Sequence, residues 1–468
     1  MRAVLKFMVL LAGILFPAAL RAQGPTPVRG ADERFKVDIL VVVAHPDDEG
    51  AVTPYLARAI YDLRKRVAVV YGTHGGSGGN NYGREHAGAL ANIREMEARQ
   101  ACAKLGITNV WFLDGKDTAS QNVLNSLSNW GHGANLEKLV ELIRLTEPEV
   151  VISSLPGVFI GENHGDHQAA GVLATEAFDL AGNPAAYPSQ IAGASPKREL
   201  YLENLSPWQP KKIYYFPDAS DEKQFNGTGP AYSVREASRS QKKPYWHLAF
   251  EAATPHLTQF PDEIGKISKL SDAEIDKLMT DANSAWWAEP ETLIYGKSIV
   301  GGAPTDDIFS AIQPGPLPVS THAATYQDFL LAKQDAMSLD GPWGFYTFFR
   351  MAHGLNHLPI AKVPEIAVKA GMPVYVPLLV RHGTDEALKV TVNAEVPAGW
   401  KVTAGQGEFA LPAESSTAMR VEVDTPALSD EELKKEQPRE ITVRAESGGN
   451  SIGEVKLRVL LRRNALPQ

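Results

Sequence analysis

The chain has 468 residues, 44% of them apolar and 22% charged, with a formal net charge of -9 at pH 7. That length exceeds one ordinary domain and predicts two or three. The negative balance argues against nucleic acid as the main partner, and the single cysteine, Cys102, excludes an intrachain disulfide and a cysteine-based zinc cluster.

In chain order, Arg2 and Lys6 open the sequence and an apolar run follows over 7–20. Ala22 offers a small residue for cleavage before Gln23. This layout predicts a cleaved signal peptide over 1–22, hence a secreted or periplasmic protein. The run is short for a membrane span and no later segment is apolar enough to make one, so no transmembrane span is expected in the mature protein.

Residues 37–44 crowd apolar side chains without clean alternation, which predicts a strand buried on both faces. It ends abruptly in His45-Pro46-Asp47-Asp48-Glu49. Helical spacing follows over 51–65, then a short apolar strand over 67–71 and a Gly-rich loop over 72–83. A long helix is expected over 84–105, closed by Gly106. Strands at 110–113 and 150–153 and helices at 136–145 and 167–180 continue the pattern. Such alternation predicts an α/β fold, a parallel Rossmann-like sheet wrapped by helices on both faces. Beyond residue 183 the chain becomes irregular, with a strand expected at 213–216 and helices at 242–251, 271–287 and 326–340. From about 358 onward alternation takes over, as in Val374-Tyr375-Val376 and in 389–392, 418–423, 440–443 and 454–459. Turn residues separate these runs at intervals typical of an all-β sandwich. The expected division is therefore 34–260, an extension over 261–357, and a β-sandwich over 358–468.

Two clusters carry the chemistry. A buried parallel strand delivers its C-terminal residues to the edge where open α/β sheets bind ligands. His45 with Asp47 and Asp48 is set down there, and imidazole with carboxylate is a ligand set for a borderline metal such as zinc. The second cluster, His164-Gly165-Asp166-His167, follows the fourth predicted strand at the same edge. Either cluster alone would serve as an ordinary polar turn capping a helix. Two of them on one sheet edge point to a site. The loop around His74 lacks the Lys-Ser/Thr of a phosphate loop and the spacing of a dinucleotide loop, which excludes nucleotide binding there. Trp246, His247, Phe250, His256 and Gln259 form an aromatic and polar group whose helical spacing favours core packing.

With these residues in place, the chain resembles the zinc N-deacetylases related to N-acetylglucosaminyl-phosphatidylinositol de-N-acetylase, the PIG-L or LmbE-like family. Ala44-His45-Pro46-Asp47-Asp48-Glu49 matches its signature, and His164-Gly165-Asp166-His167 its second motif, His-x-Asp-His. Arg94, Glu97, Ala101, Leu105 and Gly106, with Phe112-Leu113-Asp114, fit the intervening helix and strand. The resemblance covers about 37–216. It implies that His45, Asp48 and His167 bind Zn2+, that Asp47 is the general base and that His164 stabilises the oxyanion or protonates the leaving amine. It further implies that Asp166 orients a histidine from outside the ligand set and that Arg94 and Asp114 contact the substrate sugar. Glu49 is expected to be neither ligand nor base. The C-terminal region resembles an immunoglobulin-like module appended to secreted glycan-active enzymes. The implied activity is removal of acetyl from an N-acetylated amino sugar. The alternatives are an N-acyl amide hydrolase acting on a non-sugar substrate and a non-catalytic glycan-binding scaffold.

Overall fold

The computed structural model describes residues 32–157, 164–191, 205–216, 227–278, 290–313, 335–358, 360 and 363–468. The expected signal peptide, and the parts of the expected helices at 279–287 and 326–334, lie outside the described residues.

Five strands form a parallel sheet: β1 (Ile39–Val43), β2 (Val67–Thr73), β3 (Asn109–Gly115), β4 (Val150–Ser154) and β5 (Lys212–Phe216). Every residue of β1, β2, β4 and β5 is buried. The Val/Ile-rich sequences of β1, β2 and β4 are what a strand covered on both faces requires. Side chains of β1 alternate between two cores. Ile39, Val41 and Val43 pack against α1 (Thr53–Tyr61), α2 (Ala87–Lys104) and α6 (Tyr245–Ala253). Leu40 and Val42 pack against α3 (Val123–Trp130), α4 (His132–Thr146) and α5 (Gly165–Leu180). Full burial of each such side chain contributes about 1.5–3 kcal/mol. Cys102 is a small buried member of the α2 face.

Helix α3 has no counterpart in the periodicity reading. Asn122 caps it by accepting from the Leu124 N–H at 3.0 Å, and Gly131 ends it at φ 65. Its Trp130 closes over the ends of two strands, so tightly that a Cβ on Gly72 would lie 2.1 Å from the indole ring.

The sheet order is β3-β2-β1-β4-β5, extended by β8 (Ile294–Ser298). Strand β8 runs antiparallel to β5 and directly follows β7 (Glu291–Thr292), which pairs antiparallel with the distant β6 (Ala231–Tyr232). The chain leaves β1 toward β2 and β3, then returns to place β4 on the other side of β1. The strand order therefore reverses between β1 and β4, and open α/β sheets bind ligands at the crevice beyond such a reversal. Both predicted clusters follow these two strands.

Two further sheets enclose a third core. One has the order β10-β17-β16-β12-β14 and the other β13-β15-β11-β9. Their strands are β9 (Ala336–Leu339), β10 (Glu365–Lys369), β11 (Val374–Arg381), β12 (Leu388–Glu395), β13 (Lys401–Ala404), β14 (Gly407–Leu411), β15 (Ser416–Asp424), β16 (Arg439–Ser447) and β17 (Asn450–Arg462). All pair antiparallel except β10 with β17. Trp400 is buried in this core.

One expectation is corrected here. Residues 336–339 form a strand and not the end of a helix, because Met337 faces the sandwich core while β9 pairs with β11. The described residues of the extension over 261–357 are shared between the two parts. Strand β8 joins the first sheet and β9 the sandwich, while the helix Pro342–Ala352 sends Tyr346 and Phe349 into the first domain's core.

Gln121 ties the two parts together. Its amide N–H groups donate to the carbonyls of Ala367 at 2.8 Å and Leu466 at 2.7 Å, and its Oε1 accepts from the Ala367 N–H at 3.2 Å. Gln121→Ala strands these buried groups, so we expect about 3 kcal/mol lower stability in urea unfolding. An unchanged midpoint would show that the two parts do not stabilise each other through this residue.

Candidate active site

His45 follows β1 directly and is 7% exposed. Asp48 folds back on it: Asp48 Oδ2 accepts from the backbone N–H of His45 at 2.7 Å and of Ala44 at 3.1 Å. Pro46 stiffens this turn. His167 arrives from the first turn of α5, whose start lies beyond β4. His45 Nδ1 and His167 Nε2 then lie 3.1 Å apart. Asp48 Oδ1 is 3.2 Å from His167 Nε2, and Asp48 Oδ2 is 3.4 Å from His45 Nδ1.

These separations fit a metal. Ligand atoms about 2.0–2.1 Å from a tetrahedral zinc lie about 3.3–3.4 Å from one another. The far nitrogen of His45 decides its tautomer. Nε2 faces Asp166 Oδ2 at 3.3 Å and Asp117 Oδ1 at 3.5 Å. Carboxylate oxygens accept, so Nε2 carries a hydrogen. Although burial works against it, Asp48, Asp117 and Asp166 raise the His45 pKa well above its ordinary value, so with no ion bound Nδ1 is protonated too. A bound ion would displace that proton and take the Nδ1 lone pair beside His167 and Asp48. This is the carboxylate–histidine support usual behind a metal ligand. Among the described residues, two other trios also bring ligand atoms within 4.8 Å of one another: His45 with His164 and His167, and His45 with Asp117 and Asp166. In the second of these, His45 offers the nitrogen that the hydrogen occupies.

Asp166 is fully buried, and its Oδ2 also accepts from the Thr118 N–H at 2.8 Å. The histidine it supports is His45. His164 stacks on His45 with ring centroids 4.7 Å apart. Its Nε2 donates to the Thr118 carbonyl at 3.1 Å, leaving Nδ1 as its other nitrogen. Burial, then the charges of His45 and His167, lower its pKa to about 4.

Asp47 adopts φ 156 and ψ -19, a sparsely populated backbone region. Such strain costs about 1–3 kcal/mol and persists where surrounding structure fixes it. Burial, and next the Asp48 charge, raise its carboxyl to about 7. Asp48 is the opposite case: burial works to raise its pKa, but the charges of His167 and His45 and their hydrogen bonds hold it well below the ordinary range. One acid of the pair is thus held ionised and the other poised to gain or lose a proton.

The two residues assigned to substrate by resemblance are engaged with the surrounding chain. Arg94 is buried, and its guanidinium donates to the carbonyls of Gly75 and Gly79, each at 2.8 Å. The Gly-rich loop wraps it so closely that a Cβ on Gly78 would lie 2.5 Å from Nη1. Asp114 is exposed at the end of β3, bridging His74 Nε2 at 3.2 Å and Lys138 Nζ at 3.1 Å. His74 reaches Glu95 Oε2 at 3.2 Å with its other nitrogen.

One contributor has no counterpart among the candidates from sequence, and two more are reassigned. Asp117 supports His45 and receives the Ser77 N–H at 2.8 Å. It stands three residues past Asp114, so treating every strand end of the sheet alike would have found it. His256 and Gln259 belong to the site and not to core packing. His256 Nε2 contacts Glu49 Oε1 at 2.8 Å, and Gln259 Nε2 donates to the Pro46 carbonyl at 2.5 Å. Trp246 and Phe250 do pack in a small core, with Val234, Ala249 and Ile275. Glu49 is spent on His256 and lies outside the ligand trio.

Residues 40–178 match the family model described as PIG-L: GlcNAc-PI de-N-acetylase. Among curated proteins, 1D-myo-inositol 2-acetamido-2-deoxy-alpha-D-glucopyranoside deacetylase 1 of Frankia alni is 32% identical over 188 residues, covering 36% of this chain and 59% of that protein. The corresponding deacetylase of Thermobifida fusca is 26% identical over 191 residues, covering 38% and 60%. The matched region thus spans about three fifths of these relatives. Among solved structures, the N,N'-diacetylchitobiose deacetylase of Pyrococcus horikoshii overlaps 55% of this chain and 82% of its own, at 19% identity and a TM-score of 0.37.

Proposed function

We propose, with the PIG-L family domain at residues 40–178 as premise, that this protein is a zinc-dependent hydrolase removing acetyl from an N-acetylglucosamine-type substrate. The observation that carries the reading is the trio of His45, Asp48 and His167, with nitrogen and oxygen atoms 3.1–3.4 Å apart and Asp47 beside it. Three protein ligands leave a position open for substrate or water, the arrangement of catalytic zinc sites. When bound, the ion supplies Lewis-acid polarisation of the amide carbonyl and lowers the pKa of water.

The chain's own residues do the rest. Asp47 takes the proton of the attacking water at its carboxylate. His164 keeps a hydrogen on Nε2 against the Thr118 carbonyl, so any proton it moves is carried on Nδ1. Neutral at rest, with its pKa lowered to about 4, it would take up there, as the oxyanion develops, the proton that Asp47 removed from water, and deliver that proton to the leaving amine. The carbon–oxygen bond to water forms, the carbon–nitrogen bond breaks, and acetate and a free amine result. Each positioned acid or base supplies about 10²–10⁴-fold. Asp166 and Asp117 hold the His45 ring in place. Arg94 acts by shaping the Gly-rich loop that borders the site. Export by the leader at 1–22 belongs to the same proposal.

The test is a panel of N-acetylated glucosamine derivatives given to purified protein of measured metal content. We expect acetate release, its loss after chelation and its return with Zn2+. Stoichiometric metal with no turnover of any amide would overturn the reading in favour of a binding scaffold.

A further inference from the structure

A cavity of about 460 Å³ opens beside the candidate site, between α1, α2 and α6, with α7 (Pro261–Ile267) at its mouth. Asp47 and Glu49 line its inner end, and Ala51, Phe260 and Glu263 its outer end. Leu56, Ala101, Cys102, Leu105 and Ile107 make the wall between them. At that end Glu49 Oε1 contacts His256 Nε2 at 2.8 Å and the Thr53 hydroxyl donates to the Glu49 carbonyl at 2.8 Å, while Glu49 Oε2 and His256 Nδ1 are buried with no hydrogen-bond partner among the described residues. The space far exceeds an acetyl methyl, since a cavity of about 150 Å³ already accommodates benzene.

We propose that this cavity binds the acyl chain of the substrate and that the protein is an N-deacylase preferring medium-length acyl groups over acetyl. The inference rests on the hydrolase reading above for its chemistry, and on the cavity for its selectivity. Of the two sides of a scissile amide on an amino sugar, the amine side carries hydroxyls and the acyl side, beyond its carbonyl, carries only hydrocarbon. An apolar wall offers hydroxyls nothing, so the sugar takes the polar, open side near His74 and Asp114. The acyl chain then runs past Asp47 along Leu56 and Ala101 toward Phe260, which leaves 39% of its surface exposed at the mouth. Water still adds across the carbon–nitrogen bond, giving a fatty acid and a free amine, with no further reactant.

Each methylene moved from water into such a wall is worth about fourfold in kcat/KM. With Zn2+-loaded protein, N-hexanoylglucosamine should exceed N-acetylglucosamine by about two orders of magnitude. Ala101→Phe, which fills the middle of the cavity, should bring that ratio down to about one. Ala51→Trp, at the exposed edge, should cut turnover of N-octanoylglucosamine more than that of the hexanoyl compound, and does not depend on repacking the interior. Calorimetry with octanoate and acetate separates the two layers of the proposal. Tighter octanoate binding that Ala101→Phe abolishes supports the acyl site even if no amide is turned over, a result that would sink the hydrolase reading alone. Acetyl turnover equal to or faster than hexanoyl turnover overturns the acyl site alone. A hexanoyl preference untouched by both variants also overturns it.

Discussion

Asp47→Asn should keep a full equivalent of metal and lose about two to four orders of magnitude in kcat, the range supplied by one positioned base. The substitution preserves the shape of the side chain and removes its capacity to take a proton. It leaves the 3.1–3.4 Å trio of His45, Asp48 and His167 in place. Metal content by elemental analysis and kcat on the same preparation give the two readouts. If metal and activity fell together, Asp47 would be a ligand. Near-normal turnover would remove it from the chemistry altogether.

His167→Ala has the reverse signature: metal and activity lost together. His45 and Asp48 come from one turn after β1, whereas His167 comes from α5 beyond β4. Without it the trio becomes a pair from a single turn, and the metal loses the one ligand that joins distant parts of the chain. Asp48 also loses the charge that most strongly opposes its burial. Full zinc occupancy in this variant would mean that the ion is held by another of the neighbouring groups, with Asp117 and Asp166 the first to examine by substitution.

Much of the fold was legible because a strand covered on both faces has to be apolar throughout. That rule marked β1, β2 and β4 within a residue or two, and the 3.6-residue spacing marked α1, α2, α4 and α5. Helix α3 was missed because eight residues carry little periodicity and its anchor, Trp130, packs on glycines far away in sequence. Strand β8 was missed because an edge strand is defined by its neighbour β5. Residues 336–339 are too few to choose between helix and strand until β11 lies beside them.

Within the site, the sequence by itself determined which residue types stand at the ends of β1 and β4. A histidine and acids after an apolar run, and His-x-Asp-His after another, are local facts of the chain. What the tertiary structure decided was how they divide the work. Sheet order brings β4 beside β1, and only then do His167 and Asp48 meet His45 Nδ1 while Asp166 and Asp117 meet its Nε2. Arg94 was committed to the Gly-rich loop, Glu49 to His256, and an apolar cavity was left beside Asp47, none of which spacing encodes. A ligand's identity is a property of a residue, but its partner is a property of distance, and distance exists only after the strands have paired.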